Sequence, residues 1–208
     1  MSYGSAEKLL LILLLAVFVL PASVALAQLP PKVDGLPPFP ETAQFNIDLA
    51  DIYAELFPQT AMASVICNLW LNCDGVNPVL LRLEGDIQTM KVSSPTKPNL
   101  SFVYIKPYLY LDNIPAGDHQ IIFTYLVKHD GITSPGLISP LDLRLDVASW
   151  WYPRNVVADP HQVILNLVTS PDYTVTSNAP LLKDVPNNLK QLRQFVLSDA
   201  AADGLTLD

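Results

Sequence analysis

The chain has 208 residues, a formal net charge of −8, 19 Pro and 2 Cys, and half of its residues are apolar. An acidic chain without a Lys/Arg cluster lacks the basic footprint that nucleic acids and anionic membrane surfaces require, which excludes both as partners. Short alternating runs of Val, Ile, Leu, Tyr and Thr between prolines, with no long helical periodicity, exclude a helical bundle and predict β structure.

In chain order, Lys8 precedes an unbroken apolar run of 12 residues, Leu9 to Leu20, followed by Pro21 and the small-residue stretch Ala22 to Ala27. The run falls short of the roughly 20 residues that span a bilayer, and Ala25-Leu26-Ala27 supplies an A-x-A cleavage site. Residues 1–27 therefore read as a signal peptide, and the mature protein is expected outside the cytoplasm, periplasmic or secreted, with no stable membrane insertion after cleavage. Residues 28–43, with Pro30, Pro31, Pro37, Pro38 and Pro40, read as an extended tether. Residues 44–208 read as one domain.

Strands are predicted from Phe45 to Leu49 and from Ala61 to Cys73. Asp74 to Pro78 is a turn by its chemistry, and Val79 to Leu83 is expected to return beside the preceding strand as a hairpin. Further strands are expected at Ile87–Val92, Phe102–Ile105, Tyr108–Leu111, Gln120–Val127, Val163–Val168, Tyr173–Thr176 and Arg193–Leu197, with a tight turn at Ile114–Asp118. Pattern does not decide whether 186–194 is a helical turn or a strand approach. Roughly ten short strands at this spacing predict an all-β fold, a two-sheet antiparallel sandwich.

Export invites a disulfide between Cys67 and Cys73. Six residues of straight strand would hold their Cα atoms about 20 Å apart, where a bridge needs less than about 7 Å, so two buried thiols are favoured unless a bulge intervenes between Asn68 and Asn72. His119, His129 and His161 are scattered and fit no ligand pattern, so solvated or edge-strand positions are expected, and no metal site is predicted. No G-x-S-x-G, phosphate-binding Gly loop or haem motif occurs, so neither catalytic residues nor a cofactor are assigned. Asp142, Asp146, Asp159 and Asp172 read as a solvated acidic rim. Asn99-Leu100-Ser101 is a glycosylation sequon where the host glycosylates. The aromatic stretch Trp150-Trp151-Tyr152-Pro153 is expected to pack in the core or against another domain. The alternative is a platform that stacks on a glycan.

Taken in succession, these features resemble the N-terminal β-sandwich domain of the aminopeptidase N family of zinc metallopeptidases. The resemblance rests on the opening strand, the long strand, the Leu81-x-Leu83 strand, Ile87–Val92, Leu109-Tyr110-Leu111, the Ala116-Gly117 turn and Ile121–Tyr125. It continues through Trp151-Tyr152-Pro153, Asp159-Pro160, the strand Val163–Val168, Ser170-Pro171 and Thr176-Ser177-Asn178. The family's Asp-Glu-Pro is here Asp159-Pro160, without the Glu. The resemblance implies a domain that precedes and packs against a catalytic domain bearing H-E-x-x-H, a motif this sequence lacks. It also implies that Asp203 to Leu207 leads toward a following strand, as in a truncated gene product or a stand-alone derivative. The expected function is a non-catalytic exported module acting through a protein partner or a missing catalytic domain. The alternative is an adhesin-like or carbohydrate-binding surface module.

Overall fold

A computed structural model describes residues 45–75, 77–132, 136–145, 149–157, 159–186 and 189–200. All of them belong to a unit running from Pro40 to Asp208. The signal peptide, the tether, Asp146 and the 203–207 segment lie outside the described residues.

Thirteen strands form among them: β1 (Phe45–Phe57), β2 (Met62–Cys73), β3 (Asn77–Arg82), β4 (Asp86–Ser93), β5 (Phe102–Ile105), β6 (Tyr108–Ile114), β7 (Gly117–Lys128), β8 (Leu137–Ile138), β9 (Leu143–Arg144), β10 (Arg154–Asn155), β11 (His161–Thr169), β12 (Leu181–Pro186) and β13 (Gln191–Ala200). The described residues contain no α-helix, and a 3-10 turn forms at Pro58–Thr60. The all-β sandwich is thus formed, but its strands are neither uniformly short nor all antiparallel. A seven-stranded sheet runs β12-β13-β11-β1-β2-β7-β4, a four-stranded sheet runs β10-β3-β6-β5, and β8 pairs with β9. β1 pairs with β11 in parallel, from Leu49 opposite Gln162 to Glu55 opposite Val168. Parallel neighbours need a long crossover, and the whole second sheet lies between these two strands in the chain.

Strand length explains why the expected hairpin from β2 into β3 does not form. β2 has 12 residues and pairs along its length with β1 (13 residues) and β7 (12 residues). β3, with six residues, pairs instead with β6 and β10 in the other sheet. The segment around Asp74 and Gly75 is therefore a corner between sheets. That placement sets the buried face of β2 (Val65, Cys67, Leu69, Leu71, Cys73) against Val79, Leu81 and Leu83 in a single core.

Tyr173–Thr176 retains alternating exposure but is loop, not strand. Its backbone is bound by other groups: Tyr173 N donates to Ser170 O at 3.2 Å, and Arg193 Nη2 donates to Tyr173 O at 2.6 Å. The undecided 186–194 region contains the end of β12 and the start of β13.

Cys67 and Cys73 are both buried free thiols on the one strand β2. Burial, with Asp51 adding to it, pushes the Cys67 thiol far up, and burial with Asp74 pushes Cys73 up to about 11. The histidine expectation requires correction. His129 directly follows β7 and His161 opens the interior strand β11, and both are buried; His119 is half-buried. Asp142 and Asp172 are exposed as expected, and Asn99 and Ser101 of the sequon are exposed in the loop between β4 and β5.

Candidate functional site

The aromatic stretch lies between β9 and β10 and leads directly into the edge strand of the four-stranded sheet. Trp151 and Tyr152 are 2% and 1% exposed, Pro153 is buried, and Trp150 is half-buried. Trp151 and Tyr152 meet edge to face, with ring centroids 5.1 Å apart and planes at 71°, the arrangement that ring quadrupoles favour. Tyr125 of β7 donates its hydroxyl to Trp151 O at 3.0 Å, and burial raises that hydroxyl's pKa well above its usual value. The Tyr125 contact ties the turn to the seven-stranded sheet.

The turn is tied equally to the four-stranded sheet. Glu84 N donates to Trp150 O at 2.9 Å, and Arg154 and Asn155 form β10 opposite Arg82 and Leu81. The Trp150 ring carries two guanidiniums, Arg154 at 4.1 Å and Arg82 at 4.6 Å from its centroid, and Arg82 Nη2 also contacts Glu84 Oε1 at 2.8 Å. Each cation over an indole is worth about 0.5–2 kcal/mol, depending on desolvation. Trp150 has φ of 40°, a left-handed conformation that a bulky residue adopts only where its surroundings dictate it. Here the backbone bond to Glu84 and the two arginines supply that constraint.

Asp159 closes the turn against β1. Its Oδ2 accepts from Ile47 N at 2.8 Å and from Asn155 Nδ2 at 3.2 Å, while Asn155 Nδ2 also reaches Phe45 O at 3.2 Å. Burial raises the Asp159 pKa, and the two donors oppose that rise. His161 Nδ1 lies 2.6 Å from Asp159 O and its Nε2 lies 3.5 Å from the Tyr152 hydroxyl. Burial lowers the His161 pKa, opposed by its bond to Asp159.

Asp159 is linked to the contiguous stretch Trp150–Pro153 through His161, which reaches both Asp159 O and the Tyr152 hydroxyl, and the polar groups of this clasp are directed at the protein's own backbone and side chains. Sequence reasoning did not find Arg82, Glu84, Arg154, Asn155 and His161 as its partners. The signal available was the tight Tyr-Pro-Arg-Asn and Asp-Pro-His spacing around residues 152–161. Trp151 is enclosed, so a two-tryptophan stacking platform is not formed. Among the described residues no group of three or more His, Cys, Asp or Glu is placed to hold a metal ion, and no helix is long and apolar enough to cross a membrane. Two clefts lie away from the clasp. One of about 640 Å³ is lined by Pro58, Leu141, Asp142 and Tyr173, and another of about 420 Å³ by Lys97, Asn99, Asp112 and His119.

No family model matches the sequence, and no curated protein matches it. Solved structures do match in fold. An M1 zinc metallopeptidase from Deinococcus radiodurans superposes with a TM-score of 0.62 at 10% identity, over 80% of this chain and 42% of that one. A two-domain M1 zinc metallopeptidase mutant bound to L-arginine gives 0.60 at 10% identity, over 79% and 42%. A Deinococcus radiodurans M1 mutant bound to a Tyr-Ser-Ala substrate gives 0.61 at 11% identity, over 79% and 42%. The chain thus spans about two fifths of the length of the structures it resembles. Over the matched region its fold is that of the N-terminal β-sandwich part of M1 zinc metallopeptidases.

Proposed function

We propose that the chain is an exported, non-catalytic β-sandwich module related to the N-terminal part of M1 zinc metallopeptidases. It acts through protein contacts, either with a catalytic domain of that type or as a fragment of a larger peptidase. The observation that carries this reading is the fold likeness over four fifths of this chain and two fifths of the peptidases. The clasp supports it from the inside: the most distinctive residues bind the module's own sheets, as expected of a scaffold, and none is left converging on a substrate. Export is supported by Lys8, the apolar run Leu9–Leu20 and the Ala25-Leu26-Ala27 site.

The carbohydrate-binding alternative needs Trp150 and Trp151 both presented to a sugar, and Trp151 is enclosed. Tryptophan emission during titration with a panel of mono- and oligosaccharides separates the two readings. The module reading predicts no change, and a saturable change in emission would replace it with carbohydrate binding.

A further inference from the structure

The outer face of the seven-stranded sheet carries a shallow depression of about 360 Å³, lined by Asp48, Trp70, Leu71, Asp118, His119 and Gln120. Strand register explains its construction. Trp70 of β2 stands between Leu49 of β1 and Gln120 of β7, and it alternates with the core residues Leu69 and Leu71, which places its indole on the outer face. The β1–β2 ladder shifts between Ile47 and Leu49, so Asp48 is the extra residue of a bulge, and it is exposed. Bulges redirect side chains, and this one brings a carboxylate to the tryptophan. On the other flank, Asp118 lies opposite Asn72, whose Nδ2 donates to Asp118 Oδ1 at 2.6 Å and holds the second carboxylate at the rim.

No Lys or Arg lines the depression, and neither aspartate has an ion pair among the described residues. The negative face of an indole and two carboxylates attract ligands of the same sign, and a guanidinium or ammonium group satisfies both by stacking on the ring while donating hydrogen bonds to the oxygens. We propose that this depression binds a monovalent organic cation, a guanidinium or alkylammonium group, with Trp70 as the stacking surface and Asp48 and Asp118 as acceptors. The site is independent of the peptidase-related reading and stands or falls separately from it.

The experiment follows the Trp70 indole N–H signal by NMR, assigned with Trp70→Phe, while methylguanidinium chloride is added to the full chain. The site lies at the surface, so half-saturation is expected near about 10 mM. The Trp70 signal should shift saturably and the Trp150 and Trp151 signals should stay in place. Asp48→Asn combined with Asp118→Asn should weaken binding at least about fivefold, through loss of both charges. A blocked Gly-Arg-Gly peptide binding about tenfold tighter than methylguanidinium would assign the cation to a polypeptide partner. Equal affinity would assign it to a free small cation, and either result supports the site. Absence of a saturable shift, an equal shift with NaCl at the same ionic strength, or undiminished binding by the double variant would overturn it.

Discussion

At Asp159 two similar substitutions should have opposite consequences. Asp159→Ala leaves Ile47 N without its acceptor, removes one of the two acceptors of Asn155 Nδ2, and is expected to cost about 1–3 kcal/mol. Asp159→Asn keeps an accepting oxygen and removes a buried charge, so it should be neutral or slightly stabilising in urea denaturation at pH 7. Equal losses for the two would show that the charge itself matters. Trp151→Ala, which empties a core position, should cost about 3–5 kcal/mol by the same measurement. The histidines set the acid limit. Burial lowers His129 to about 4 and lowers His161 as well, so the fold favours their neutral forms. Their contribution is present above the unfolded value of about 6.5 and is lost as pH falls from there toward 4. Stability at pH 4.5 should be clearly below that at pH 7.5, and a flat profile would contradict the assignment. That these histidines are interior was not legible in the sequence. Alternation marks which face a residue takes, but whether that face is covered depends on strands brought in from distant parts of the chain.

At the scale of elements, alternation made the strands readable and pairing made them hard to place. β2 is legible in the sequence because Val65, Cys67, Leu69, Leu71 and Cys73 share a face, and that face is in the core. The neighbours of β2 were misread because the turn chemistry at Asp74-Gly75 is local, while the match of a 12-residue strand to partners of equal length is a property of the whole chain. Tyr173–Thr176 was misread for a related reason: it has the pattern of a strand, but its carbonyl at Tyr173 is taken by Arg193. The thiols give a direct check on β2. Native protein should be inert to a thiol reagent, and two thiols should titrate on unfolding in denaturant; none titrating would require a bridge. Gly85, just before β4, tests the corner beside the clasp. It has φ of 108°, and an added Cβ would lie 2.3 Å from Val127 Cγ2. Gly85→Ala should therefore cost about 2–4 kcal/mol, read as a lowered denaturation midpoint.

For the whole molecule, the clasp explains how one short turn can be distinctive in sequence because of packing. Trp151 and Tyr152 enter the core, Trp150 is held between the arginines of one sheet edge, and Asp159 secures the start of β1. Sequence alone showed the turn's unusual composition. Its partners could not be read because Arg82, Phe45 and Tyr125 reach it through long-range topology. The export reading predicts a mature N-terminus at Gln28, which mass spectrometry of the protein recovered from its host would identify, and an intact Met1 would contradict it. The non-catalytic reading is tested most directly by purifying the full chain in zinc-supplemented buffer, measuring bound zinc and assaying hydrolysis of aminoacyl substrates on the same sample. The account predicts no stoichiometric zinc and no hydrolysis above buffer; stoichiometric zinc together with aminopeptidase turnover would contradict it.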